Sequence, residues 1–524
     1  MLTRRGFLVS AGATIIGCST PAVVPSASPS PSSTPRPTPA PPTAARSASP
    51  TPGGPPDWTA LAGELRGTLV RPGDTAYDLA RVLYNTRFDG LRPQAIARCA
   101  SAADVQACVA FARRSGIAIT PRSGGHSFGG WSGGPGLVVD VGPLASIDVS
   151  GDTATIGAGA RLADVYAAVA ARGRGIAAGS CPTVGIAGLT LGGGQGVLSR
   201  AWGLTCDSVV SIDVVTADGM SRTCDAQRDA ELFWALRGGG GGNFGIVTSF
   251  TMRTRPAVPL AIAFVTWPWS NAGSVVRAWP GWMATMPDAL WSNVHLDAAS
   301  GPEPTLLVHA VGMENAATLQ AQLDQLVTDV GSAPDGRTVF VRSYADAMLT
   351  EGGCAQLTLA QCHLTGTTPD GQLARETAAA KSAIATARLS EPAIGAMLDA
   401  LEALQALPNA GAGSILIDSM GGAIAQVAGD ATAFPHRSAI ATLQFVAGWQ
   451  ANAPSATADA SMAWLRSLYG RVRPLIGTGA YVNYADPDLA DWQQAYYGPN
   501  YARLQRVRAT YDPDRLFAFP QAIQ

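Results

Sequence analysis

Pro121-Arg122-Ser123-Gly124-Gly125-His126-Ser127-Phe128-Gly129-Gly130 and Cys181-Pro182-Thr183-Val184-Gly185-Ile186-Ala187-Gly188 are the two stretches on which the reading of this chain turns. Each sets one nucleophilic side chain, an imidazole or a thiol, among glycines, which let backbone N–H groups approach a ligand closely. Two further glycine runs follow, Gly192-Gly193-Gly194-Gln195-Gly196 and Gly238 to Gly242 continued by Asn243-Phe244-Gly245. Gly240, Gly242 and Gly245 satisfy G-x-G-x-x-G formally, but they leave a helical pattern and enter a strand, the reverse of what a Rossmann site needs. No G-x-x-x-x-G-K-S/T sequence is present, so a P-loop is excluded as well. For any single glycine, a purely structural turn is the competing reading.

Around these stretches the hydrophobic pattern alternates between strand and helix. Ala95 to Arg98 reads as a strand, and Ser101 with Asp104 has the spacing of a helix-opening capping box. Val105, Cys108, Val109 and Ala112 then share one helical face, Gly116 sits at the C-cap, and Ile117 to Ile119 begins the next strand. A second unit runs from a strand at Ala154 to Gly157, through a helix at Leu162 to Ala171, to a strand at Gly175 to Ala178. Two such β-α-β units imply a mixed α/β sheet. Val209 to Val215 and Arg222 to Cys224 flank Ala217-Asp218-Gly219, which predicts a hairpin because Asp-Gly tolerates positive φ. Ile246 to Met252 predicts another strand. Further on, Leu260 to Trp267 and Pro304 to Val311 read as strands, and Ala316 to Val330 and Thr377 to Leu389 as helices. Trp267, Trp269 and Trp291 are candidates for a substrate groove, with burial in the core as the competing role.

The 524 residues carry 36 Lys+Arg against 38 Asp+Glu, so no basic excess draws the chain to nucleic acid. Hydrophobic residues make up 47% and charged residues only 14%, which excludes wholesale disorder, and the length allows two or three domains. Lys381 is the sole lysine. The apolar stretch from Gly6 to Gly17 is too short to span a membrane. Preceded by Thr3-Arg4-Arg5-Gly6-Phe7-Leu8, it resembles a twin-arginine export signal. Ile15-Ile16-Gly17-Cys18 resembles a lipobox, whose cysteine is acylated; plain cleavage is the alternative. Residues 19–56 are nearly all Pro, Ser, Thr and Ala, a tether that reaches on the order of 100 Å when extended. The chain therefore reads as an exported protein whose contact with the membrane runs through its signal or lipid anchor alone.

The two opening stretches are similar to the flavin-attachment segments of the berberine-bridge-enzyme-like FAD-linked oxidases, a branch of the vanillyl-alcohol-oxidase superfamily. Tyr481-Val482-Asn483-Tyr484, Tyr496-Tyr497-Gly498-Pro499-Asn500 and Tyr511-Asp512-Pro513 to Phe517 resemble that family's closing block. The resemblance implies an α+β fold: a PCMH-type FAD-binding domain of two subdomains (57–258), a substrate domain with an antiparallel sheet covered by helices (259–477), and a C-terminal segment returning to the FAD domain (478–524). It also implies FAD held by two covalent bonds, from His126 to the 8α-methyl carbon and from Cys181 to ring carbon 6. Imidazole and thiolate are the nucleophiles such bonds require. Arg122, Ser123, Gly124, Gly125, Ser127, Val184, Gly185, Gly188, Gly192, Gly196, Gly245, Ile246, Val247, Tyr481 and Asn483 complete the expected cofactor contacts. A turn histidine satisfied by backbone, a buried apolar cysteine and, for Tyr481, a core aromatic are the competing readings.

The resemblance places a catalytic base at Tyr484, whose pKa near ~10 calls for a neighbouring cation or strong donor. Some members use a glutamate on a neighbouring strand instead, and Tyr484 as a core aromatic is the third reading. The region from Phe434-Pro435-His436-Arg437 to Trp449 resembles the family's active-site sheet, with Gln444 facing substrate and His436 structural. Val184, three positions after the attached cysteine, accompanies oxygen use in the family. Leu189 stands where some plant members have a histidine, so that histidine's help to the flavin does not carry over. Of the remaining cysteines, Cys354 and Cys362 are the best disulfide pair in an exported protein. No metal-ligand spacing and no G-x-S-x-G elbow is present. The expected function is oxidation of an alcohol or hemiacetal carbon of a small molecule, with O2 reduced to H2O2. A sugar C1 giving a lactone comes first, then oxidation or cyclisation of a secondary metabolite, or a dehydrogenase with another acceptor. A colourless surface binding lipoprotein is the non-enzymatic rival.

Overall fold

The computed structural model describes residues 56–524. The export-signal and lipobox readings and almost all of the tether lie outside the described residues. The first sheet contains β1 (Thr68–Val70), β2 (Ala95–Arg98), β3 (Ile119–Arg122) and β4 (Leu137–Asp140) in the order β1-β2-β4-β3. β2 and β3 both run parallel to β4. The helix joining them, Ala102–Ser115, begins as its sequence predicts: Ser101 Oγ accepts the Asp104 N–H, and Gly116 closes it at φ +64°. Asp104 also accepts the N–H groups of Arg66, Gly67 and Ala100, which ties β1 to the helix start.

A second sheet orders β5 (Ile147–Ser150), β6 (Thr153–Gly157), β8 (Val209–Val215), β9 (Ser221–Asp225) and β10 (Ile246–Arg253) as β5-β6-β10-β8-β9. β8 and β9 form the predicted hairpin, with Gly219 at φ +82°. The helix Leu162–Ala170 is present, but the strand expected after it shrinks to β7 (Arg174–Gly175), and residues 176–178 form no strand. β7 pairs with β11 (Arg255–Pro256) rather than with β6, so the second β-α-β unit does not close. Apolar composition alone did not separate a buried loop from a strand there.

The third sheet is wholly antiparallel. Its seven strands are β12 (Leu260–Trp267), β13 (Leu290–Ala299), β14 (Thr305–Gly312), β15 (Gly336–Arg342), β16 (Ala378–Ala385), β17 (Ala412–Ser419) and β18 (Ala441–Gly448), ordered β15-β12-β14-β13-β17-β18-β16. Helices Ala272–Thr285, Ala316–Val330, Glu391–Ala406 and Ser455–Ile476 accompany it. Because side chains alternate along a strand, β13 sends Val294 and Leu296 into the core and Trp291, Asn293 and His295 to the opposite face.

The helix expected over Thr377 to Leu389 is β16 instead. Its alanines favour a helix locally, but eight residues pair with β18, with the helix Ser455–Ile476 and the turn Val482–Tyr484 packed against the strand. Small side chains suit a strand enclosed in this way. Lys381 lies in this strand, 4% exposed, with Nζ 2.7 and 2.8 Å from the two oxygens of Asp486 and 3.2 Å from Asp488. Ser382 Oγ accepts the Tyr481 N–H, and the Ile384 N–H donates to Gly479. The C-terminal segment is thereby fastened to β16, and beyond it Asn243 accepts the Ile523 N–H on the glycine-rich side.

Removing Lys381 leaves the Asp486 carboxylate buried without its counter-ion. Lys381→Met is expected to cost about 3–5 kcal/mol, read as a lower midpoint in urea unfolding, with Lys381→Met/Asp486→Leu recovering much of it.

Candidate active site

The two opening stretches meet at a backbone crossing. A Cβ on Gly124 would lie 2.2 Å from the Gly185 nitrogen, and one on Gly185 2.3 Å from the Gly124 nitrogen, so neither position admits a side chain. The crossing brings His126 and Cys181 to the wall of one cavity of about 660 Å³. Thr183 lies between them, its Oγ1 3.0 Å from His126 Nε2 and 3.9 Å from Cys181 Sγ. Tyr84 stacks on the His126 ring at 3.9 Å. Burial, and then the positive charge of Arg161, pull the imidazole pKa down to about 3, so His126 is neutral and keeps a nucleophilic lone pair.

Arg122, Ser123, Gly124, Gly125, His126, Ser127, Cys181, Val184, Gly185, Gly188, Gly196, Gly245, Ile246, Val247, Gln444, Tyr481, Asn483 and Tyr484 all line this cavity. Gly192 does not line it. That residue backs the Asn483 side chain, where a Cβ would fall 2.0 Å from Oδ1. Asn483 donates to the Leu189 carbonyl and to Tyr481 Oη, which also accepts the Gly194 N–H, all at 2.9 Å. The cavity suits a dinucleotide with an anionic centre. Gly240 and Gly242 turn at φ +83° and +77°, and Arg122 Nη2 is held by Ala80 and Asp140 while its buried Nη1 has no partner.

The third sheet supplies the facing wall. Phe264, His309, Asn293 and Asp418 stand directly opposite one another across β12, β14, β13 and β17, and all four face the cavity. The next row contains Leu307, His295, Leu416 and Gln444. Asn293 Nδ2 donates to Asp418 Oδ1 at 3.0 Å and to His295 Nε2 at 2.8 Å. Burial raises the Asp418 pKa to about 6, against the opposing pull of the Asn293 hydrogen bond and His309. His309 lies 3.2 Å from Glu351 and stacks on Phe264 at 4.7 Å.

Tyr484 sits in the turn Val482–Tyr484, edge-on to Phe128 and Tyr481. Burial first, and then the nearby Asp418 carboxylate, push its hydroxyl well above the ordinary tyrosine value. Tyr484 thus stays protonated at neutral pH. Asp418, Asn293, His295, His309 and Glu351 were not singled out in the sequence. For Asp418, Asn293 and His295 the signal is the alternation in Ser414-Ile415-Leu416-Ile417-Asp418 and Trp291-Ser292-Asn293-Val294-His295, which puts polar residues on one strand face, whereas His309 and Glu351 carry no such pattern. Trp291 lines the cavity, whereas Trp267 and Trp269 donate to Ser332 and Glu402 away from it. His436 stands edge-on to Phe434 outside the cavity lining. Cys354 and Cys362 form the expected disulfide.

Residues 93–225 match the family described as FAD binding domain, and residues 480–524 match berberine and berberine like. An uncharacterized FAD-linked oxidoreductase of Bacillus subtilis, YgaK, is 32% identical over 88% of this chain and 97% of its own length. The chain belongs to the berberine-bridge-enzyme-like FAD-linked oxidoreductases. The xylooligosaccharide oxidase of Thermothelomyces thermophilus is 30% identical over 82% of this chain and 87% of its own. The solved structure of Physcomitrella patens BBE-like 1 superposes with a TM-score of 0.80 at 28% identity, over 89% of this chain and 98% of that one. Within this family fold, the glycine crossing lies in the part matched as FAD binding domain, and the C-terminal turn and the seven-stranded sheet complete the cavity.

The crossing is a sharp test of the cofactor side. Gly185→Ala forces apart the loops that hold His126 and Cys181, so the purified variant is expected to carry severalfold less flavin per polypeptide, measured from its absorbance spectrum.

Proposed function

We propose that this oxidoreductase removes a hydride from an alcohol or hemiacetal carbon of a neutral sugar, with dioxygen as the final acceptor and hydrogen peroxide as product. The observation that carries the reading is the buried Asp418 carboxylate, held by Asn293 across the cavity from the two attachment residues. His126, Cys181, the glycine turns and Arg122 would hold FAD, which would supply the two-electron acceptor. With a pKa of about 6, Asp418 is ionised at neutral pH and takes the substrate O–H proton as the carbon's hydrogen departs. Asn293 fixes the carboxylate's orientation. Protonated Tyr484 faces the same space as a hydrogen-bond donor, and Gln444 holds a second substrate oxygen. This assignment gives Asp418 the part that the family resemblance offered to Tyr484 or to a glutamate on a neighbouring strand.

The xylooligosaccharide oxidase among the relatives supports a sugar substrate. The wall carries Glu351, Glu376 and Asp418 against Arg122, which itself pairs with Asp140, so anionic sugars are disfavoured. Phe128, Phe264, Trp291 and Tyr484 give the cavity aromatic walls and favour a planar secondary metabolite as the second reading. Val184 lies at the cavity wall and supports oxygen as acceptor through the family pattern. We place the protein outside the cytoplasmic membrane, lipid-anchored through Cys18. The Cys354–Cys362 disulfide supports an oxidising compartment.

Oxygen uptake and peroxide release over a panel of neutral oligosaccharides, sugar acids and aromatic alcohols test the reading. Neutral sugars are expected to react, and turnover of aromatic alcohols alone would transfer the assignment to the second reading. Reduction only of an artificial acceptor would make the enzyme a dehydrogenase. For the reactive substrate, kcat/KM is expected to rise with pH through about 6 as Asp418 loses its proton and to level off above it. Asp418→Asn is expected to abolish that limb and lower kcat about 10²- to 10⁴-fold, while Tyr484→Phe loses less and keeps the limb.

A further inference from the structure

Thr183 is the side chain placed against both attachment residues, yet it does not line the cavity. Only 3% exposed, it sits on the Cys181 loop and reaches behind the His126 ring. A neutral imidazole has one N–H and one lone pair, and the lone pair must be the nitrogen that forms a bond to carbon. A threonine hydroxyl has one hydrogen to donate and lone pairs to accept. If that hydrogen is directed at the Cys181 sulfur, 3.9 Å away, Oγ1 must accept from His126 Nε2–H at 3.0 Å. Nδ1 is then the nitrogen left with the lone pair, and Tyr84, stacked on the ring, keeps it in plane.

We propose that Thr183 is the positioning residue for covalent attachment at His126: it selects the tautomer whose Nδ1 bonds to the flavin and couples that bond to the Cys181 loop. The proposal rests on the reading that FAD is attached at both residues. In the step, a C–N bond forms from Nδ1 to the 8α carbon, and one C–H bond of that methyl group breaks and its hydrogen leaves as a proton. The imidazole gives up its Nε2 proton across the hydrogen bond to Thr183. The two electrons of the broken C–H bond remain on the ring system, and dioxygen takes them with the two protons as hydrogen peroxide. The Cys181 sulfur, which accepts that hydroxyl hydrogen, gains from the same contact, because a hydrogen bond to sulfur favours thiolate.

The test is peptide mapping of the full-length protein after acid precipitation. Cleavage after arginine releases His126 on Ser123–Arg161 and Cys181 on Gly175–Arg200, so two bonds to one flavin join these peptides into a single species. The wild type is expected to yield the joined pair, with fragmentation and NMR of the isolated peptide assigning the bond to Nδ1. Thr183→Val keeps the shape but not the hydroxyl, and is expected to leave flavin on the Gly175–Arg200 peptide, with the bond at His126 reduced about tenfold, the scale of one lost buried hydrogen bond. Thr183→Ser is expected to restore the pair. A wild-type bond through Nε2 overturns the proposal without requiring any variant to fold, and so does a Thr183→Val protein joined at both residues. Wild-type protein that releases its flavin on precipitation refutes covalent attachment itself, and the proposal with it.

Discussion

No side chain fits where Gly124 passes Gly185, and much of the cofactor side depends on that contact. Two loops some sixty residues apart can touch backbone to backbone only if both are bare. Once they do, an imidazole on one and a thiol on the other face the same space. The surrounding polar groups follow from the same crossing: Ser123 turns back to the Ala158 carbonyl at 2.6 Å, and Thr183 reaches from one loop to the other's histidine. A glycine here is therefore a statement about distance as much as about backbone freedom.

The opposite wall is built on a different principle. An antiparallel sheet with one face in the core and one facing a cavity sorts residues by parity, so a transverse row reads from strand to strand as a line of side chains at one level. Phe264, His309, Asn293 and Asp418 make such a line, running from aromatic to carboxylate across four strands. The C-terminal segment closes the space between the two walls. Its Tyr481 and Asn483 bond to the glycine loop at Gly194 and Leu189, while Asp486 is anchored to β16 by Lys381.

Local signals in the sequence were strong where the fold is local. The capped helix at Ala102–Ser115, the Asp-Gly hairpin between β8 and β9 and the strands at Ala95–Arg98 and Leu260–Trp267 follow from patterns a few residues long. Residues 378–385 were misread because alanine favours a helix until a partner strand distant in sequence claims its backbone, and that partner, β18, lies some sixty residues away. The glycine segments and the closing tyrosines were legible through family resemblance. Asp418 was not, since it carries no motif: it matters because register sets it beside Asn293, 125 residues earlier, and burial then changes its acidity. Chemistry assembled by strand pairing leaves only a parity pattern in the chain.

The solitary lysine has a practical corollary. Lys381 is 4% exposed and locked to two carboxylates, so the folded body offers amine-reactive labels no side-chain target. Dyes, cross-linkers and activated surfaces that seek primary amines therefore meet no exposed lysine on the described residues. Chemistry aimed at lysine thus leaves the walls of the cavity untouched, and the one lysine keeps its place between two carboxylates.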